Sequence, residues 1–317
     1  MKRLYKILFI AAFTLSLCAC SSQQQDFRLL YWNIQNGMWD GQGDNYDRFV
    51  EFVKEQNPDI CVWCEAKSLW TTDSDTPIAE EDQLLPDAWG ELAARYGHAY
   101  WGIGGYRDGY PQVITSKYPI TYVDKITGDP DDVIVSHGAG WATVEVGGKT
   151  INVVTLHTWP QKYAYMAEDR EASIAENGGD KFRAREMQYI CQHTIEKCPN
   201  AANEYWMMMG DFNSISIVDN DKYELPEDSP KFLVHNYVRA NTPYIDVIRQ
   251  WHGKYIPSIH EGKTQRRIDF VYCTQPLYDC ITSAEIVWND YTTPVKTELS
   301  NFYRPSDHLP IVVDFKL

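Results

Sequence analysis

Positive charge is scarce in this 317-residue chain: 29 Lys and Arg stand against 44 Asp and Glu, a net charge of −15. A surface this acidic repels polyanions and gains little from counterion release. That argues against a tight nucleic-acid binder, although a local basic groove would compensate. Internal repeats are absent, as are low-complexity tracts after residue 25 and any linker that would separate one domain from another. No D-x-D-x-D-G loop marks a calcium site. Zinc is disfavoured too, because no second Cys/His pair of zinc-finger spacing accompanies Cys61-x-x-Cys64.

Disulfide signals are equally thin. Cys61 and Cys64 lie in an extended run, where residues i and i+3 point to opposite faces. Cys191 and Cys198 would stand two helical turns apart, roughly 10 Å, too far for a bridge. Cys273 and Cys280 are spaced to close a small loop. Buried free thiols are the expectation for all six.

The chain also lacks an apolar run that spans a bilayer at its N-terminus. Lys2, Arg3 and Lys6 precede the apolar stretch Ile7–Leu17, which is too short. This is the layout of a secretory signal, residues 1–19. Leu17-Cys18-Ala19-Cys20 resembles a bacterial lipobox, which makes Cys20 the lipidated first residue of an exported, membrane-anchored lipoprotein. Residues 20–26 form a polar tether and residues 27–317 a single domain. Removing residues 1–19 moves the net charge to −18.

What is abundant is apolar and aromatic content, 44% and 14%, ample for a packed core. Short β-rich runs alternate with loops. FRLLYWNI (27–34), DICVWCEA (59–66), PQVITSKYPI (111–120), VIVSHGAGWATVEV (133–146), KTINVVTLHT (149–158), EYWMMMGDFN (204–213), RRIDFVYC (266–273), SAEIVWN (283–289) and LPIVVDF (309–315) read as strands. Gly147-Gly148 reads as a hairpin turn. Residues 44–59 and 181–197 read as amphipathic helices. Two packed sheets with helices outside, an α/β sandwich, is the architecture this pattern implies.

Several strands end in polar residues of one chemical kind. Asn33 ends LLYWN, Glu65 ends ICVWCE and His157 ends INVVTLH. Asp211 and Asn213 follow YWMMMG, and Asp307-His308 precede LPIVV. Any one of them has a bland account as a solvated loop residue or helix cap. Together they make a natural site for a hard, oxygen-seeking cation and for proton transfer.

WNIQNG, DICVWCEA, TLHTWP, GDFNS, RRIDFV and SDHLP resemble, in this order, the motifs of the endonuclease/exonuclease/phosphatase superfamily. They span Trp32 to Pro310. The resemblance implies a four-layer α/β sandwich with two packed, mainly antiparallel but mixed sheets, flanked by helices. It implies a Mg²⁺-dependent phosphoester hydrolase, with Mn²⁺ as a substitute, acting as a monomer. On this likeness Glu65 ligates the cation, with Asp307 and Asn33 beside it. Asp211 orients or deprotonates the attacking water with help from Asn213. His157 contacts a phosphoryl oxygen and protonates the leaving group, and Asp269 orients His308. Gln35 departs from those relatives that place an aspartate there as a further metal contact, so a second strong metal site is not expected. Gln35 and the TLHT histidine resemble the deoxyribonuclease and sphingomyelinase branches more than the apurinic-endonuclease branch. RRIDFV lacks the Trp-Cys-Asp-Arg signature of the inositol 5-phosphatases.

Substrate clues are confined to the loops. Residues 66–90 carry six acids and one lysine, residues 214–232 five acids and two lysines, and both follow strand ends that feed the site. Acidic rims disfavour a long polyanion. Arg107, Lys117, Lys162, Arg183, Arg185, Arg266 and Arg267 are candidates to cradle one phosphate. Arg107 and Tyr110, within the aromatic stretch 96–111, are the candidate substrate contacts. The open substrate classes are a small phosphoester, a lipid phosphoester and nucleic acid cut without sequence preference. The alternative is a binding lipoprotein that kept the fold and lost catalysis. A competent residue at every expected catalytic position argues against it.

Overall fold

The protein was analysed as a computed structural model that describes residues 25–38, 45–69, 88–259, 265–293 and 305–317. The signal, Cys20, the start of the tether and most of the acidic segment 66–90 lie outside them. Twelve strands are described: β1 (Asp26–Asn33), β2 (Ile60–Cys64), β3 (Tyr100–Ile103), β4 (Val113–Ser116), β5 (Ile120–Gly128) and β6 (Ile134–Val146), then β7 (Lys149–His157), β8 (Tyr205–Asp211), β9 (Ile245–Asp246), β10 (Asp269–Cys273), β11 (Ile281–Ile286) and β12 (Ile311–Lys316). They form two six-stranded sheets, ordered β11-β12-β1-β2-β4-β3 and β5-β6-β7-β8-β10-β9. Each is mixed: β1–β2 and β7–β8 pair in parallel, while the other pairings are antiparallel.

Alternation along the strands sorts side chains into layers. Leu29 and Tyr31 of β1, Ile60 and Val62 of β2, Val153 of β7, Met207 and Met209 of β8 and Val271 of β10 meet in the inter-sheet core. The intervening residues face outward. Leu30, Trp32, Cys61 and Trp63 pack against the helices Asp47–Gln56 and Trp89–Arg95. Val154, Leu156, Trp206 and Met208 pack against the helices Gly178–His193 and Leu233–Asn241. The expected four layers are therefore present. Among the described residues, no helix is long and apolar enough to cross a membrane.

Three local expectations change. Residues 111–120 are not one strand: Pro119 falls between β4 and β5, and the chain there passes from one sheet to the other. The first helix starts at Asp47 because Asn45 and Tyr46 have positive φ, and it ends at Gln56 before the left-handed Asn57. The second long helix runs Gly178–His193, and a short 3₁₀ turn covers Ile195–Lys197. All six cysteines are free thiols, including Cys273 and Cys280. Cys61 and Cys64 lie on opposite faces of β2, in different core clusters.

Candidate active site

The functional side chains continue the inward register of the core. Asn33 lies two residues past Tyr31, Asp211 two past Met209 and Asp269 two before Val271, so each belongs to the inter-sheet face. Register places three of them abreast: His157 pairs with Asp211 across parallel β7–β8, and Asp269 faces Asp211 across antiparallel β8–β10. Two carboxylates directly opposite each other are unfavourable for folding alone. Glu65 would by alternation point outward with Trp63. Its φ of 56° ends β2 and turns it back into the cluster. Glu65 Oε2 there accepts from Asn36 N–H at 2.9 Å, and Oε1 accepts from Asn33 Nδ2 at 3.2 Å.

His308 enters from the segment before β12. Ser306 Oγ donates to Asn33 O, Trp32 Nε1 donates to His308 O, and Leu309 N–H donates to Ser258 O. These bonds pin the stretch between Pro305 and Pro310. His308 Nδ1 lies 2.7 Å from Asp269 Oδ2. Asp269 is fixed in turn by Tyr31 Oη on Oδ1 and Ser258 Oγ on Oδ2, each at 2.7 Å. His308 Nε2 faces Asp211 Oδ2 at 3.8 Å and Asp307 Oδ1 at 3.7 Å. An extended segment would send Asp307 and His308 apart, but residue 307 sits in a bend, so both side chains line one site.

Among the described residues, two donor groups could hold a metal ion: Glu65, His157 and Asp211, and Asp211, Asp269 and His308, each with ligand atoms within 4.8 Å of one another. Asp307 belongs to neither, yet its Oδ1 is buried without a hydrogen-bond partner, and its charge helps raise the pKa of Glu65. Burial pushes the Asp211 carboxyl up to about 8, with the Asp269 charge adding to the effect. Burial likewise raises Glu65. Burial alone would lower His308, but the Asp269 and Asp307 carboxylates outweigh it and hold the ring well above its usual value. Excess buried negative charge and an unpartnered carboxylate oxygen fit a hard divalent cation.

Asn33 lies beside Glu65. Its Oδ1 accepts Gln35 N–H at 2.9 Å, so its amide nitrogen faces Glu65 and Asp211 at 3.2 Å and donates to both. Gln35 Oε1 in turn accepts Asp307 N–H at 2.9 Å, which gives this neutral amide a structural task. Asn213, with φ 44°, donates its N–H to Asp211 Oδ1 and its Nδ2 to Thr158 O. That leaves Asp211 Oδ2 turned toward Asn33 and the two histidines.

The phosphate cradle of seven cations does not assemble. Lys117 binds Asp59 and Asn57 at the far end of β2. Arg183 is buried on Trp159 O, Gln161 O and Asp180, and Arg185 pairs with Asp132. Arg267 is buried against Asp219 and Asp246, so Asp219 of the second acidic segment is core, not rim. Lys162 and Arg266 are exposed. Arg107 stays near the site, bonding Ser136 O and Tyr165 Oη at 3.1 Å. Tyr110 lies edge-on to His157, ring centroids 6.3 Å apart. Tyr96, at the other end of the aromatic stretch, packs in the outer core against Trp63. Sequence reading missed His137, Asp108 and Glu186. Asp108 Oδ2 lies 2.6 Å from His137 Nδ1, and the His137 ring contacts that of His157. The available signal was a histidine beside glycine in SHGAG, opposite the RDGY loop.

A helix–sheet–sheet–helix sandwich with carboxylates and imidazoles at one end of its inter-sheet core defines the class. The chain belongs to the Endonuclease/Exonuclease/phosphatase family, whose sequence profile matches residues 30–308; its members are metal-dependent phosphoesterases. The fold is similar to that of an AP endonuclease from Archaeoglobus fulgidus (TM-score 0.60, 16% identity, 92% of this chain and 100% of that one). It is also similar to a 3′ phosphatase from Neisseria solved with product DNA hairpin (0.58, 15%, 92% and 100%). A third is an endonuclease/exonuclease/phosphatase protein from Beutenbergia cavernae (0.56, 17%, 92% and 72%). No curated protein sequence matches significantly.

Proposed function

We propose that this protein hydrolyses a phosphoester with Mg²⁺, or Mn²⁺ in its place, held by Glu65 and Asp307. The carrying observation is the convergence of Glu65, Asp211 and Asp269 in one buried cluster with two imidazoles. A cation held there would supply charge neutralisation to the phosphoryl group. Asn33 orients two of the carboxylates through its amide nitrogen. Asp211, with Oδ1 tied to Asn213 N–H and charged His308 opposing the burial that raises its carboxyl, takes a proton from the attacking water. His308, held by Asp269, carries a proton and positive charge toward the phosphoryl group. His157, kept neutral by burial and by His137 and His308, donates an N–H hydrogen bond to a phosphoryl oxygen, and the leaving group takes its proton from charged His308. Arg107 and Tyr110 contact the substrate from the rim.

The exported lipoprotein reading belongs to this proposal, with Cys20 as the anchor. β1 carries the chain from Asp26 to Asn33, about 25 Å at ~3.3 Å per residue, so the site lies at the end away from the tether. Turnover of bis(p-nitrophenyl) phosphate should require Mg²⁺ or Mn²⁺ and stop with chelator, whereas metal-independent turnover would sink the mechanism. A panel of plasmid DNA, RNA, sphingomyelin vesicles, phosphoinositides and sugar phosphates then identifies the substrate class. Cys20→Ala should release the protein from membranes, and continued binding would refute the anchor.

A further inference from the structure

The two active-site histidines are secured in different ways. His308 is tied at Nδ1 to a carboxylate 2.7 Å away. His157 has no such bond. Its Nδ1 is buried with no hydrogen-bond partner, and the nearest carboxylate oxygens to Nε2, Asp211 Oδ2 and Glu65 Oε1, stand at 3.8 and 3.9 Å. A ring that must present one edge to a phosphoryl group needs its orientation set by something. What touches it is another ring. His137 lies with its centroid 4.4 Å from that of His157, tilted by 36°.

His137 is itself fixed. Its side chain is 3% exposed, and its Nδ1 lies 2.6 Å from Asp108 Oδ2. Tyr110 packs edge-on against it at 5.0 Å. The backbone under it is held from behind. Buried Glu186 accepts Ser136 N–H and Oγ–H on Oε1, both at 2.7 Å, and Trp159 N–H on Oε2 at 2.9 Å. That one carboxylate clamps the segments carrying both histidines. Next to His137, Gly138 has φ 81°, and a Cβ there would meet Tyr106 N at 2.8 Å, so the 104–107 backbone rests directly on this strand.

We propose that His137, braced by Asp108, is a positioning residue that holds the His157 ring edge toward the phosphoryl site by ring packing. The idea rests on the phosphoesterase reading, and extends it to a residue that acts through its contact with the His157 ring. His308 is aimed by a hydrogen bond, His157 by an aromatic neighbour.

The test compares His137→Ala, which removes the ring, with His137→Phe, which keeps a flat ring and removes its nitrogens. It uses the full chain on bis(p-nitrophenyl) phosphate with saturating Mg²⁺. His137→Ala should lower kcat by about 10- to 100-fold with KM within about twofold, as expected for misplaced catalytic geometry. His137→Phe should recover most of the loss, and Asp108→Ala should fall between them. An unchanged kcat in His137→Ala, or an equal loss in His137→Phe, overturns the proposal. Imidazole ¹⁵N spectra of histidine-labelled protein, with His157 assigned by its loss in His137-intact His157→Gln, give a readout free of turnover. The His157 signals should broaden in His137→Ala and stay sharp in His137→Phe. The same narrow signals in all three proteins would refute the proposal even if no substrate is ever turned over. Inactivity of the unaltered protein, by contrast, would refute only the phosphoesterase reading.

Discussion

Among the described residues, the buried charges around Arg267 and those at the candidate site are built on opposite plans. Around Arg267, 1% exposed, the guanidinium meets Asp219 Oδ2 at 2.6 Å and takes Asp246 on both oxygens at 2.7 and 2.8 Å. Arg249 reaches Asp219 from the other side at 3.5 Å. Each carboxylate there has a cation of the chain's own. At the candidate site, Glu65, Asp211, Asp269 and Asp307 share only His308, held in its charged form, and His157, held neutral. Burial raises the carboxyls of both Asp219 and Asp211, but Arg267 and Arg249 pull against it at Asp219, whereas no arginine does so at Asp211. A structural ion cluster closes its own charge balance. This one stays open, which is what a site waiting for a divalent cation and a phosphoryl group requires.

The contrast breaks in three ways. Asp211→Asn or His308→Ala should lower turnover by about a thousandfold, the range of lost general acid–base catalysis. Thermal unfolding without metal near neutral pH should show little loss of stability for Asp211→Asn, since burial already favours the uncharged carboxyl there. Arg267→Met should do the reverse. It strands Asp219 and Asp246 without a partner and should cost about 3–5 kcal/mol in urea unfolding, while turnover per folded molecule stays within a few fold. The third effect is a pH slope. Asp211 binds a proton more tightly folded, up to about 8, than unfolded, near 4. Stability of the metal-free protein from this group is therefore greatest below about 4 and falls as pH rises toward 8, by at most ~1.4 kcal/mol per unit. Thermal midpoints across that range should fall less steeply in Asp211→Asn, and parallel curves would remove Asp211 as the source.

Much of the candidate site was legible because polar side chains at strand ends interrupt an apolar run. Asn33, Glu65, His157, Asp211 and His308 stood out that way, Asp269 came only with the family resemblance, and the structure gathers all six. The roles of the cations were not legible. Arg183 and Arg267 look like free positive charge in sequence, yet partners up to 48 residues away bury them. His137 escaped notice because it sits within β6, away from a strand end, where only its meeting with His157 gives it meaning. Gln35 reads as a weakened metal ligand until its Oε1 is seen holding Asp307 N–H. The split of residues 111–120 depends on which sheet each half joins, which no local propensity encodes.

The open charge balance is tested most directly by titrating Mg²⁺ into chelator-stripped protein while following the thermal midpoint, alongside Glu65→Gln. The account predicts a saturable rise in the unaltered protein, about 2.7 kcal/mol at a hundredfold excess over Kd, and little or none in Glu65→Gln. No rise, or an equal rise in both proteins, would contradict it.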